Sequence, residues 1–194
     1  MLGVDFHLKI ATPPLKSRGI SCCIVRSKSL LDAPQNIHQI GKFIGREDKA
    51  FKLAKKVETK INHIIRKARQ TSKKVRVCYI CDVSCLAWRS CAMGRLIEVL
   101  GGINIGNNIK GKEEEAIYKQ ICLQDPEVII TARRHRERIN LLSFVKKSPY
   151  FRNTQAYRKN RIYRINAEFV CRPGLRAAIG LESLAKFIHP EIFR

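Results

Sequence analysis

From Glu47 to about Thr71 the apolar positions Ala50, Leu53, Ala54, Val57, Ile61, Ile64, Ile65 and Ala68 recur at steps of three and four, which draws one stripe along a helix of about seven turns. Upstream, the β-branched run Ile20-Ser-Cys-Cys-Ile-Val25 predicts a short strand, and Asp32-Ala33-Pro34 opens a helix that reaches about Ile44 and stops at Gly45. After Lys73-Lys74 the pattern changes to alternating strands and helices. Strands are predicted at Val75 to Ile80, Asp125 to Ile130 and Arg161 to Ile165. Helices are predicted at Ala92 to Leu100, stopped by Gly101-Gly102, then at Ala116 to Leu123, about Glu137 to Val145, and Leu175 to Ile188. This order predicts an α/β fold with a parallel sheet covered by helices. Such sheets bind ligands outside the carboxyl ends of their strands, so the loops 81–91, 131–138 and 166–173 are the candidate crevice.

A chain of 194 residues, 45% hydrophobic, can bury one good core with appendages. No apolar run reaches the ~18 residues of a transmembrane helix. Asp5 and His7 stand where the apolar centre of a signal peptide would lie, so the chain, if complete as written, is expected to stay in the cytoplasm. The net charge of +22 would attract any polyanion. It is divided between two regions: Arg46 to Arg76 holds 12 basic residues, and Thr131 to Arg164 holds 11 against Glu137 alone. No zinc-finger spacing, RNP aromatic pair or GXXG loop accompanies it.

Eight cysteines argue against residence in an oxidising compartment. Cys78, Cys81, Cys85 and Cys91 lie close enough in sequence to converge on a metal, but strand alternation would send Cys78 and Cys81 to opposite faces. The five histidines are scattered, and neither H-E-x-x-H nor G-x-S-x-G occurs, so no catalytic constellation is legible and an enzyme is not expected. His189-Pro190 reads as a helix terminator.

The end of the chain is the most distinctive. It runs S-P-Y-F, A-Y-R-K-N-R-I-Y-R-I, C-R-P-G-L-R and G-L-E-S-L-A-K-F-I-H-P-E-I-F between Ser148 and Phe193. That order resembles the C-terminal lobe of the periplasmic binding proteins that serve ABC importers of iron-siderophores, haem and cobalamin. Further matched blocks lie at Gly19 to Val25, Ile40 to Ala50, Gly101 to Ile105 and Asp125 to Ile130.

The resemblance covers roughly residues 15–194 and implies an N-terminally truncated member of a two-lobed, helical-backbone class. Residues 1–45 would be a remnant of the first lobe, 46–73 the interlobe spine helix, and 74–194 the C-terminal α/β lobe. It further implies a substrate-binding component, an extracytoplasmic location, and an ABC permease and ATPase as partners. The implied ligand is a ferric siderophore, haem or cobalamin, with no resident cofactor. With half of the cleft absent, binding should be weak.

Placed on this frame, Trp88 and Arg89 in the first loop, Arg133 and Arg134 in the second, and Arg172 in the third are the candidate ligand-binding residues. Trp88 would stack on a macrocycle or catecholate, or else cap the edge of the core. The arginines would pair with ligand carboxylates, because guanidinium forks match planar oxygen pairs. The family usually offers a Glu to the permease seven residues before the position of Pro126. Here that position is Lys119, with Glu115 one turn upstream as the candidate substitute. The alternatives are a basic cytosolic protein that binds nucleic acid or another polyanion on the same scaffold, and a metal or redox module built on the four clustered cysteines.

Overall fold

A computed structural model of the chain describes residues 10–82, 85–86, 92–111, 113–133 and 139–193. In chain order the elements are α1 (Thr12–Lys16), α2 (Ala33–Phe43), α3 (Glu47–Ala68), β1 (Arg76–Asp82), β2 (Cys85–Leu86), α4 (Ala92–Val99) and β3 (Ile103–Asn104). There follow α5 (Glu114–Leu123), β4 (Val128–Arg133), α6 (Leu141–Lys147), α7 (Gln155–Arg158), β5 (Ile162–Asn166), α8 (Ala167–Cys171) and α9 (Ala177–Ile188).

The sheet order is β2-β1-β4-β5, with β3 also on β1. β1, β4 and β5 are parallel neighbours, paired Val77 with Val128 and Ile129 with Ile162. β3 runs parallel to the start of β1, while β2 folds back antiparallel against its end. Val77 to Ile80 and Val128 to Ala132 are all buried, both parities alike. Both faces of the central strands are therefore covered, which is why these strands read as continuous apolar runs.

The 3-10 turn Leu30–Asp32, which leads directly into α2, is started by a reciprocal cap. Ser29 accepts from the Leu31 amide at 3.3 Å, and Asp32 accepts from the Lys28 and Ser29 amides at 2.7 and 3.0 Å. Gly45, at φ 66°, ends α2, and α3 returns alongside. The two helices touch so closely at Gly41 that a Cβ there would meet the Ala50 Cβ at 2.0 Å. α3 carries Glu47 and Asp48 in its first turn and Arg66 and Lys67 in its last, matching the helix dipole. Its apolar stripe packs on α2 and α9.

α9 closes the other side. Gly180 lies against the backbone of α8, where an added Cβ would stand 2.2 Å from the Phe169 carbonyl oxygen. At the far end, Arg161 Nη2 donates to the Phe187 and Ile188 carbonyls at 3.0 and 2.9 Å, so the last turn of α9 is capped from the start of β5. Tyr163 on β5 stacks flat on Phe187, with ring centroids 4.5 Å apart.

Four expectations are corrected. Residues 20–25 form no strand: a β-branched run needs a ladder partner, and among the described residues none lies beside it. The segment expected to be loop from 81 onward instead continues β1 to Asp82 and turns back into β2. The expected loop 166–173 contains α8, because Asn166 caps it by accepting from the Glu168 amide at 3.0 Å. The strand expected from Asp125 starts only at Val128, since Asp125 adopts φ 43° and turns the chain before the ladder begins.

Candidate functional site

The parallel register brings three carboxyl ends to one edge. Arg133, the last residue of β4, pairs with Asn166, the last of β5. The β1–β4 ladder ends at Ile80 and Thr131, β1 is irregular between Ile80 and Asp82, and the two strands themselves end at Asp82 and Arg133. Asp82 and Arg133 are both exposed, so an acid ends β1 and a guanidinium ends the neighbouring β4 on the same edge of the sheet. Asn166 then starts α8, which delivers Arg172 one short helix further along the same edge.

Arg172 is already engaged: its Nη1 lies 2.7 Å from Glu168 Oε2 across one turn of α8. A ligand carboxylate at Arg172 would compete with Glu168, whereas Arg133 presents an exposed fork at the strand end. Trp88, Arg89 and Arg134 lie outside the described residues. Asp82 is a site residue that sequence reasoning missed; its signal was an acid directly ending an apolar strand.

Behind this edge lies an aromatic cluster. Tyr118 of α5 contacts the rings of Phe144, Tyr150 and Phe151 at centroid distances of 5.8, 5.7 and 5.5 Å. Burial, followed by the charges of Glu114 and Asp82, pushes the Tyr118 hydroxyl up to about 12. It therefore stays a neutral phenol across the physiological range. The cluster fixes α5 against the segment that follows α6, and so holds the wall of the edge in place.

On the outer face of α5, Lys119 Nζ lies 2.8 Å from Glu115 Oε1, both side chains 64% exposed. The hydrogen bond from Lys119 and its charge, with a further bond from Tyr150, hold the Glu115 carboxyl below its ordinary range, and Lys119 is raised in return. The two residues expected at docking are thus one ion pair. Beside them Leu123 is 85% exposed at the rim of a shallow concavity of about 690 Å³ that also touches Tyr150 and Asn153.

Of the clustered cysteines, Cys78 is buried and burial raises its thiol well above the ordinary value, with the Cys122 charge adding to the effect. Cys81 is half-buried, three positions along the same strand and so on the other face. Cys91 lies outside the described residues, and of Cys85 only the strand position is described. Among the described residues no group of three or more His, Cys, Asp or Glu side chains gathers as a metal would require. No helix among them is long and apolar enough to cross a membrane.

A deeper concavity of about 800 Å³ lies away from the strand ends, between α3 and α9. Its walls include Lys60, His63 and Lys67 from α3 and Ile179 from α9, with Phe193 at its base. Nothing in the sequence marks it, because it arises only where two amphipathic helices diverge.

Comparison with known proteins agrees with this architecture. The family model described as "Periplasmic binding protein" matches residues 8–169. An uncharacterized ABC transporter substrate-binding lipoprotein, YvrC of Bacillus subtilis (strain 168), is 26% identical over 193 residues, covering 95% of this chain and 59% of that protein. This chain thus spans about three-fifths of that relative's length. Among solved structures, a possible iron-binding periplasmic solute-binding protein from Staphylococcus epidermidis ATCC 12228 superposes with a TM-score of 0.73 at 23% identity, covering 91% of this chain and 69% of that one. The periplasmic heme-binding protein RhuT from Roseiflexus sp. RS-1, in apo form, gives 0.75 at 20% identity, with 91% and 70% covered.

Proposed function

The chain belongs to the periplasmic binding protein family, and on that premise we propose that it is the substrate-binding component of an ABC importer whose ligand is an anionic iron chelate or metal macrocycle of the ferric siderophore, haem or cobalamin kind. The observation that carries this reading is the convergence of Asp82, Arg133 and the Asn166–Arg172 segment on the carboxyl edge of a parallel sheet. An exposed guanidinium at that edge offers paired donors to a propionate or carboxylate, and the Glu168-bound Arg172 offers a second cation once its partner is displaced. Two structural neighbours, one a possible iron-binding protein and one a heme-binding protein, favour the iron and haem end of this range.

In this role the protein performs no chemistry. It captures ligand at the edge, presents it to a permease driven by an ATPase, and works outside the cytoplasm as its family does. Docking would use the outer face of α5, where Glu115 and Lys119 are mutually neutralised and Leu123 supplies apolar contact. Trp88 is the sole tryptophan, so its fluorescence reports the part of the chain that follows Leu86. Titration of the purified protein with haemin, ferric siderophores and cyanocobalamin should quench it saturably with one of them. Lack of any saturable response at high micromolar ligand would overturn the reading.

A further inference from the structure

The outer face of α3 carries a ridge of lysines, with one histidine among them, that ligand capture does not use. Lys49, Lys52, Lys56, Lys60, His63 and Lys67 follow one another at steps of three and four, so they lie on a single line down the helix. From Lys49 to Lys67 the line covers about five turns and ~27 Å. The first five are exposed, and among the described residues none of the lysines in the line enters an ion pair. Glu58 stands nine residues from Lys49, on the opposite side of the helix, and leaves the ridge undiluted.

The ridge is bordered by apolar side chains. Leu53 flanks it near the start, and Ile179 of α9, 53% exposed, lies across the concavity that the second half of the ridge overlooks. The acid of that concavity, Glu182, is held by Lys186 at 2.9 Å. Phe193 at its base is only 7% exposed, and Lys67 Nζ covers its ring at 4.9 Å.

We infer that this ridge docks the protein on an anionic phospholipid bilayer. Straightness, compact ammonium groups and neighbouring exposed apolar residues suit a flat, diffuse field of negative headgroups. Lysine lacks the planar fork that grips one phosphate in one geometry, so a surface without register is its natural partner. A single-stranded nucleic acid would want broad aromatic faces for its bases, and of the rings that line the concavity Phe193 is buried beneath Lys67, which leaves the small imidazole of His63. The ridge lies on a different helix from every ligand-binding candidate, and no described strand-end residue lines its concavity, so the surface acts independently of what the crevice holds.

The test is co-sedimentation of the full chain with vesicles of phosphatidylcholine alone and of phosphatidylcholine mixed with phosphatidylglycerol. Binding is expected only to the mixed vesicles, falling steeply with salt. The double variant Lys56→Gln/Lys60→Gln should weaken it by about 25-fold, at about fivefold per lysine. Lys146→Gln/Lys147→Gln, which removes the same charge from the end of α6, should weaken it by less than about threefold. Equal binding to both vesicle types would overturn the inference, as would equal losses in the two variants. So would displacement from the mixed vesicles by a single-stranded oligonucleotide that loses affinity for the ridge variant. Because exposed lysines are replaced by glutamine, all variants should keep the circular dichroism of the parent.

Discussion

The imidazole of His189 donates its Nε2 hydrogen to the carbonyl of Leu100 at 2.8 Å, fully buried, and so joins the end of α9 to the end of α4 across 89 positions of sequence. A carbonyl can only accept, so the bond fixes which ring nitrogen carries the hydrogen. His189→Ala would leave that carbonyl buried without a donor and a void beside it. A loss of about 3 kcal/mol in urea unfolding is expected, with His189→Gln recovering part of it.

Asp125 accepts from the amide and side chain of Gln155 at 2.8 and 2.7 Å, with Arg76 nearby, and its carboxyl is held below the usual range by those bonds first and by the neighbouring arginines after. Because the folded value lies below the unfolded one, this stabilisation is present above the ordinary carboxylate range near pH ~4 and is lost as pH falls through it. Asp125→Asn, which tolerates the left-handed backbone, should lower stability at neutral pH and flatten the acid limb of the unfolding midpoint measured from about pH 7 to about pH 3.

Gly180→Ala sets two effects against each other. Alanine gains up to ~1 kcal/mol of helix propensity. The new Cβ would meet the Phe169 carbonyl oxygen at 2.2 Å, and backbone cannot move aside as a flexible side chain would. A net loss of about 2 kcal/mol is expected, visible in thermal unfolding. The shift of α8 that relieves the contact should also displace Arg172 and weaken ligand capture.

Thiol reactivity should sort the cysteines. Cys171 is exposed at the end of α8, while Cys78 is buried with its thiol raised by that burial. Alkylation at pH ~8 followed by peptide mass analysis should modify Cys171 within minutes and reach Cys78 only in denaturant. Rapid modification of Cys78 in the folded protein would show that β1 is not held as described.

Arg133→Gln removes the exposed guanidinium at the strand edge and keeps comparable bulk. For a carboxylate-bearing ligand such as haemin, the dissociation constant should rise by about tenfold, the worth of one charge-assisted bond. A neutral ligand should lose less, and the comparison of the two separates charge recognition from general damage.

The sequence reading succeeded where periodicity and turn residues agree. The α3 stripe, Gly45 and Gly101 mark boundaries through local chemistry, and β1, β4 and β5 announce themselves as apolar runs because both their faces are covered. It failed where structure depends on a partner. Residues 20–25 have strand composition but no strand beside them, and α8 depends on one Asn166 cap that composition hides. For the site, Arg133 and Arg172 were legible as basic residues near strand ends, yet the Glu168 bond on Arg172 comes from helix phase, and the place of Asp82 at the edge from the point at which β1 stops. Lys119 and Glu115 were seen separately, and only the i,i+4 geometry makes them one pair.

The clasp of α9, with its end fastened to Leu100 by His189 and capped by Arg161, sets when this chain can fold during synthesis. β1 and β4 emerge long before the helix that shields them, and the contacts that close the core come from a segment more than forty residues further along the chain. Until then the nascent chain carries an uncovered parallel sheet whose long-range pairings are slow to form. Its production in cells should therefore lean on chaperones that hold it until α9 has emerged, and ribosome stalling shortly before α9 should turn a folding chain into an aggregating one.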